Sequence, residues 1–481
     1  MTINLRHIIL FVLFGLLLSF NKTNAQEVSI SPVLNLRNYF SYEILGDVAG
    51  KSIVYRDKGY VKEMDVFNPE LELVQSAELY FEKRRIDVFT LIEEDSSFQV
   101  LYGFFERDSM FLKQRTYNNR IELQDSSVFA RLYKRDIRKR ISTAVSDNKQ
   151  KVLLSTVDEE ENVIFLLYDS VNKKVEWLSK VDVDGDFRGY LDDIVLSDTG
   201  DFLLLINEGI WSSEPSKLSV LIISPSNNLQ KYISFSLTDL FKDNIWIDID
   251  NKHQRWLICG TYSKRKRKEA EGYFYISKKL SDFTSMEKFE YFPFDDDVFN
   301  ELLQGKRKRG TAIENLALQN VLFRNDGGIV FVSEVVREYA RRNPYNNYAR
   351  SSFDGFSSRA WIDFYNEDVL VSSVSPDGSI LWNKVLYKKQ FSQDDDGIYS
   401  SFFIMKSPSR LRFIYNDEIK KNNTVSEYLM DPAGRIARNS LLSTAYQKMK
   451  LRFKDAIQIS SRTLVVPSER NYDLNLVRIT Y

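Results

Sequence analysis

The sequence predicts an all-β fold: a single β-propeller of four-stranded antiparallel blades, eight in number, with seven as the alternative count. Three observations predict it. A phrase of strand, tight turn and strand recurs along the chain. A separate apolar run precedes each copy. The first five runs are spaced by roughly 45–55 residues, the length of one four-stranded propeller blade.

The clearest copy of the phrase is Val371–Leu386, VSSVSPDGSILWNKVL. Pro376 presets φ for the first central turn position, and Gly378 accepts backbone angles that a β-carbon forbids, so the segment reads as a hairpin. Further copies are Leu221–Ser234, Ile164–Leu178, Tyr428–Leu441 and Met64–Val74. The apolar runs are Ser52–Tyr55, Phe98–Gly103, Val152–Thr156, Phe202–Ile206, Trp256–Gly260, Ile329–Ser333, Leu411–Tyr415 and Thr463–Val466. Their last three intervals are about 72, 83 and 52 residues, so the longer two carry insertions.

Taken in order, the chain begins with a processing segment. Arg6 gives a positive start, Ile8–Phe20 is apolar, and Thr23-Asn24-Ala25 is a small-residue end before Gln26. This is the pattern of a signal peptide over 1–25, cleaved after Ala25; its apolar core is short for a membrane span. No later stretch reaches 18 uninterrupted apolar residues, so no transmembrane segment is expected after cleavage. The propeller domain is expected over 26–481, with insertions at about 294–312 and 336–360.

Gly46–Ser52 (GDVAGKS) falls one residue short of the phosphate-loop spacing and precedes a strand rather than a helix, so it is rejected as a phosphate site. Each repeat then opens with a strand and a tight turn, such as Ser146–Lys149, Ser197–Gly200 or Asn325–Gly328. Asp, Asn, Ser and Gly gather there because they bond nearby amides or tolerate left-handed backbone. Asn300–Gln319 reads as a short helix or a basic loop. The last repeat, Asp455–Tyr481, shows only three strands. Closing a ring requires its edges to be joined, and Val33–Tyr39 is the expected fourth strand.

Lys and Arg together number 66 against 67 Asp and Glu, so no global field recruits nucleic acid. The single cysteine, Cys259, rules out an internal disulfide and reads as a buried core thiol. After leader removal only His253 remains, on a turn expected to face away from the long loops. That leaves no histidine triad at a loop-built site and no multi-histidine zinc site. Paired carboxylates need no histidine, so glycosidase chemistry stays open.

In such a blade the first-to-second and third-to-fourth turns lie on one face, and all other connections on the opposite one. Nearly every long loop here falls in the second group, and long loops on a rigid scaffold usually carry function. The insertion VREYARRNPYNNYARSSFDGF supplies Arg337, Tyr339, Arg341, Arg342, Tyr345, Tyr348 and Phe353. Arg and Tyr combine large contact area with polar reach, which suits protein recognition. Arg265 and Arg267 lie in a second basic loop, and Asp295 and Asp395 in acidic triplets, all expected on the same face. Asp182, Asp184, Asp186 and Asp193 stand at relative positions one, three, five and twelve, the spacing of a calcium loop. Phe187 replaces its turn glycine, and a solvated acidic loop is the competing reading. Calcium is the one cofactor the pattern admits.

These phrases resemble the β-propeller repeat superfamily over most of residues 30–481. They are most similar to exported propellers with Ser-Pro-Asp-Gly-type hairpins and to the quinoprotein-like scaffolds of outer-membrane assembly machinery. The chain departs from the lipoprotein scaffolds in lacking an anchoring cysteine beside Ala25, and it has no regular Trp-Asp or calcium motif in every blade. The resemblance implies architecture, and fold does not transfer function. The expectation is a non-enzymatic, exported scaffold that binds protein partners in the cell envelope, periplasmic or surface-exposed, as an accessory to an outer-membrane export or assembly complex. The alternative is a propeller that binds or cleaves glycans through aromatic platforms and paired Asp residues.

Overall fold

The computed structural model describes residues 26–183, 193–208, 217–236, 240–265, 268–282, 289–303, 312–341, 361–417, 419, 424–443 and 449–481. The described chain forms an eight-bladed propeller of four-stranded antiparallel blades. Blade 1 runs from Ser41–Val48 on the inside to Leu73–Leu79 at the rim. Blades 2 to 4 open with Asp87–Glu93, Ser142–Val145 and Ile194–Leu196. Blades 5 to 8 open with Phe241–Asp250, Leu316–Phe323, Phe403–Ser407 and Ile457–Gln458. All eight apolar runs found in the sequence are second strands.

Those runs are apolar at successive positions because both faces of a middle strand are buried, each against a different neighbouring blade. In blade 4, Phe202, Leu204 and Ile206 pack toward blade 3, while Leu203 and Leu205 pack toward blade 5. Blade 5 repeats the pattern: Trp256 and Ile258 face blade 4, and Leu257 and Cys259 face blade 6. Cys259 is thus the buried core thiol expected, and burial pushes its pKa up. One apolar cluster fills each seam around the ring, the last joining blade 8 to blade 1 through Val465, Leu474, Leu476, Val54 and Phe67.

The closing strand is not where the sequence placed it. Glu27–Ile30 pairs with Asp473–Thr480, in register Glu27 to Thr480, and is the rim strand of blade 8. Within the expected Val33–Tyr39 only Leu34–Asn35 pairs with that strand, further along. Pro32 separates the two pieces, having no amide to give to a ladder. Ser31 spans the gap: its amide donates to the Leu476 carbonyl (2.9 Å) and its Oγ accepts from the Leu476 amide (2.8 Å). Leu34 and Leu36 are buried in the closing seam.

The short turns meet around one face of the ring and bond one another. The Ala49 amide donates to the Asp95 carbonyl at 2.8 Å, and Lys149 pairs with Glu93 at 3.0 Å. The Asn148 amide donates to Asp198 (3.0 Å), and the Asp198 amide to Asn251 (2.8 Å). Lys252 reaches Asn325 at 2.9 Å, and Gln458 exchanges two bonds with the Lys406 backbone (2.8 and 2.6 Å). His253 lies on this face, its Nδ1 2.8 Å from Asp250, as expected for a turn residue remote from the long loops.

Candidate functional site

Among the described residues the opposite face carries its largest elaboration on blade 6. Its two middle strands, Ile329–Arg341 and Trp361–Val374, outrun the blade and continue as a two-stranded ribbon with Arg337 opposite Tyr365 and Tyr339 opposite Asp363. A register shift between Glu334 and Val336 marks where blade becomes ribbon. Such a bulge bends a strand and re-aims the residues beyond it. Gln390–Gln393 joins the ribbon edge by pairing with Asp363–Asn366, making it three strands wide.

A buried polar network holds the bend. Glu334 is fully buried and ion-paired with Lys388, which is also buried. The second Glu334 oxygen accepts from Asn366 (3.0 Å) and Ser401 (3.1 Å). Lys388 also donates to the Gln390 side-chain carbonyl at 2.6 Å. Gln390 in turn donates to the Asn416 carbonyl (2.7 Å), and Asn416 to Leu451 (2.8 Å), tying the ribbon base to blades 7 and 8. Burial draws the Lys388 ammonium below its ordinary pKa, with the Glu334 charge opposing. Paired and hydrogen-bonded on both sides, these charges fix the geometry of the bend, because a buried charge tolerates few alternative partners.

Of the residues singled out from sequence, Arg337 and Tyr339 stand on the ribbon. Arg337 pairs with Glu367 at 2.9 Å. Tyr339 is 54% exposed and meets Tyr365 edge-on, ring centroids 5.7 Å apart. Tyr365 continues the row to Phe391 at 4.9 Å. Aromatic pairs of this kind stiffen a surface that also offers hydrogen-bonding edges. Arg341 ends the first ribbon strand; Arg342, Tyr345, Tyr348 and Phe353 lie outside the described residues. Arg265 is exposed on the neighbouring blade-5 loop, its amide donating to Ser263 at 3.1 Å; Arg267 lies outside the described residues.

The two aspartates have local structural partners. Asp295 caps the helix Asp296–Leu302, one oxygen accepting from the Val298 amide (2.8 Å) and the other from Asn383 (3.0 Å). An N-cap carboxylate satisfies an amide the helix leaves unpaired and faces its positive end. Asp395 is half-buried in the turn after Gln393, accepting from Ser392 (2.8 Å) and the Gly397 amide (3.0 Å); burial raises its pKa. The structure therefore places them on separate supports, one under the outer strand of blade 6 and one beside the ribbon.

In the calcium pattern, the Asp182 carbonyl accepts from Tyr232 (3.1 Å) and the Asp193 carbonyl from the Leu205 amide (3.1 Å). Asp184 and Asp186 lie outside the described residues. No cluster of metal-ligating side chains occurs among the described residues.

Sequence reading missed the Glu334–Lys388 pair and a carboxyl of the inner wall. Asp248, on the inner strand of blade 5, is pushed by burial from its ordinary 3.8 up to about 6, with Asp147 raising it further and Lys406 opposing. A carboxyl raised in the folded state binds its proton more tightly there than when unfolded. Its stabilising contribution is thus full below about pH 4 and is lost as pH climbs through about 6. Asp248→Asn is expected to gain about 1–2 kcal/mol of stability at pH 7.5 and little at pH 4. Urea midpoints at the two pH values check this, and an equal change at both would contradict it.

No family model matches the chain, and no curated protein matches it. Solved structures do. The β-propeller domain of the Trilobed protease from Pyrococcus furiosus is 11% identical, with 83% of this chain and 98% of that chain covered and a TM-score of 0.36. A europium-containing methanol dehydrogenase is 9% identical over 94% of this chain and 93% of that one, TM-score 0.41. Porphyromonas gingivalis dipeptidyl peptidase 4 is 10% identical over 89% of this chain and 56% of its own, TM-score 0.43. These likenesses carry no function to this chain, whose β-propeller fold is shown by its own strand pairing.

Proposed function

We propose that this protein is a non-enzymatic exported scaffold that binds partner proteins on its long-loop face, as an accessory part of an outer-membrane export or assembly complex. The observation that carries the reading is the blade-6 ribbon. It extends two core strands past the blade, locks them at the base with a buried ion pair, and exposes Tyr339 beside Arg337. A rigid support bearing an exposed Tyr and a half-buried Arg is the composition of an interaction hot spot. The leader-like 1–25 segment supports export. Among the described residues no helix is long and apolar enough to cross a membrane.

The glycan alternative relies on Asp295 and Asp395 acting as a pair. Asp295 is engaged on both oxygens by groups that hold a helix in place, which favours the binding reading.

Replacing the two ribbon residues that carry the reading, Arg337→Ala and Tyr339→Ala together, tests the proposal. The double variant is expected to keep its unfolding midpoint and to lose its partners in affinity capture from intact envelopes. Capture of the same partners by both forms would overturn it.

A further inference from the structure

The face of short turns holds a feature the proposed function does not use. Turn-to-turn bonds link blades 1 to 6 in succession and blade 7 to blade 8. Among the described residues none joins the Arg324–Gly328 turn of blade 6 to the Ser407–Arg410 turn of blade 7. There the seam opens into a cavity of about 550 Å³, a size that encloses small organic ligands.

Two sheet faces line it. On blade 7, Lys406, Leu411 and Met430 are cross-strand neighbours and share one face. On blade 6, Val330, Ser373 and Trp382 do the same. The floor is apolar, from Leu322, Val330, Leu411 and Met430. Trp382 forms a wall, its indole N–H fixed on the Pro432 carbonyl at 3.2 Å.

The charged lining is mainly cationic. Arg324 is held in place by Ser373 (2.7 Å) and Asp326 (2.6 Å). The other lining carboxylate, Asp431, is turned to Arg435 at 2.6 Å. Lys406 and Arg410 are exposed and form no ion pair among the described residues. Apolar surface below and an exposed ammonium without an ion-pair partner among the described residues select a ligand with a hydrocarbon body and one negative head.

We infer that this cavity is a binding site for a small amphipathic carboxylate, its hydrocarbon part on the Leu411–Met430 floor beside Trp382 and its head between Lys406 and Arg324. The site lies on the opposite face from the ribbon and stands independently of the partner-binding proposal.

Calorimetric titration of residues 26–481 with octanoate, 1-octanol and octyltrimethylammonium tests it. Octanoate is expected to bind one per chain, at least about tenfold more tightly than the trimethylammonium compound, a gap of about 1.4 kcal/mol. Lys406→Glu, at an exposed position, is expected to weaken octanoate about tenfold and leave octanol within about twofold. Leu411→Glu, which puts an anion on the floor, is expected to abolish binding of both. Octanoate binding that neither variant changes, or no octanoate binding at about 1 mM, would overturn the assignment. Matching circular dichroism spectra confirm that the variants are folded.

Discussion

Lys388→Met is expected to destabilise the protein by about 3–5 kcal/mol, because it strands the fully buried Glu334 carboxylate. Removing one member of a buried pair leaves a charge with neither water nor counter-ion. Asn366 and Ser401 donate to Glu334 but cannot neutralise it. The double variant Glu334→Leu/Lys388→Met removes both charges and is expected to recover most of the loss. Denaturant midpoints of the parent, Lys388→Met, Glu334→Leu and the double variant form the cycle. A single variant within about 0.5 kcal/mol of the parent would show that the pair is dispensable. The same change bears on the proposed docking ribbon, since the pair sits at the bend from which it departs. In Lys388→Met, amide exchange is expected to quicken at Val336–Arg341 and Ile362–Asn366 more than in the blade strands.

Beginning the chain at Arg37 instead of Gln26 is expected to cost on the order of 5 kcal/mol. It withdraws Leu34 and Leu36 from the closing seam, each worth about 1.5–3 kcal/mol. It also strips Asp473–Thr480 of its edge partner. An unpaired edge templates association with other chains, so light scattering is expected to rise near the lowered unfolding temperature. Equal unfolding temperatures and clear solutions for both forms would contradict ring closure by Glu27–Ile30.

How much could be read from sequence depends on where each residue sits. The second strands were legible because burial on both faces demands continuous apolar runs, as at Phe202–Ile206, which serves two seams at once. The turns were legible because Ser375-Pro376-Asp377-Gly378 fits the reversal chemically; Gly378 has φ +88°. The closing strand was misplaced because EVSI is short and only half-covered, whereas Leu34 and Leu36 stand at strand spacing and fill the seam although only Leu34–Asn35 of that stretch is paired. Glu334 and Lys388 were illegible for a different reason. A charged residue in a strand pattern reads as solvent-facing, and only the bulge and the returning segment Tyr387–Gln390 bring the two together. Of the candidate contact residues, the sequence found Arg337 and Tyr339 by composition, but their partners Glu367, Tyr365 and Phe391 come from strand pairing.

Photo-crosslinking in living cells tests the central claim most directly. A crosslinking amino acid in place of Tyr339, on the ribbon, is compared with one in place of Asn119, on the short-turn face. A defined crosslinked envelope partner is expected from position 339 and none from 119. Crosslinks from 119 alone, or from neither, would contradict docking on the long-loop face.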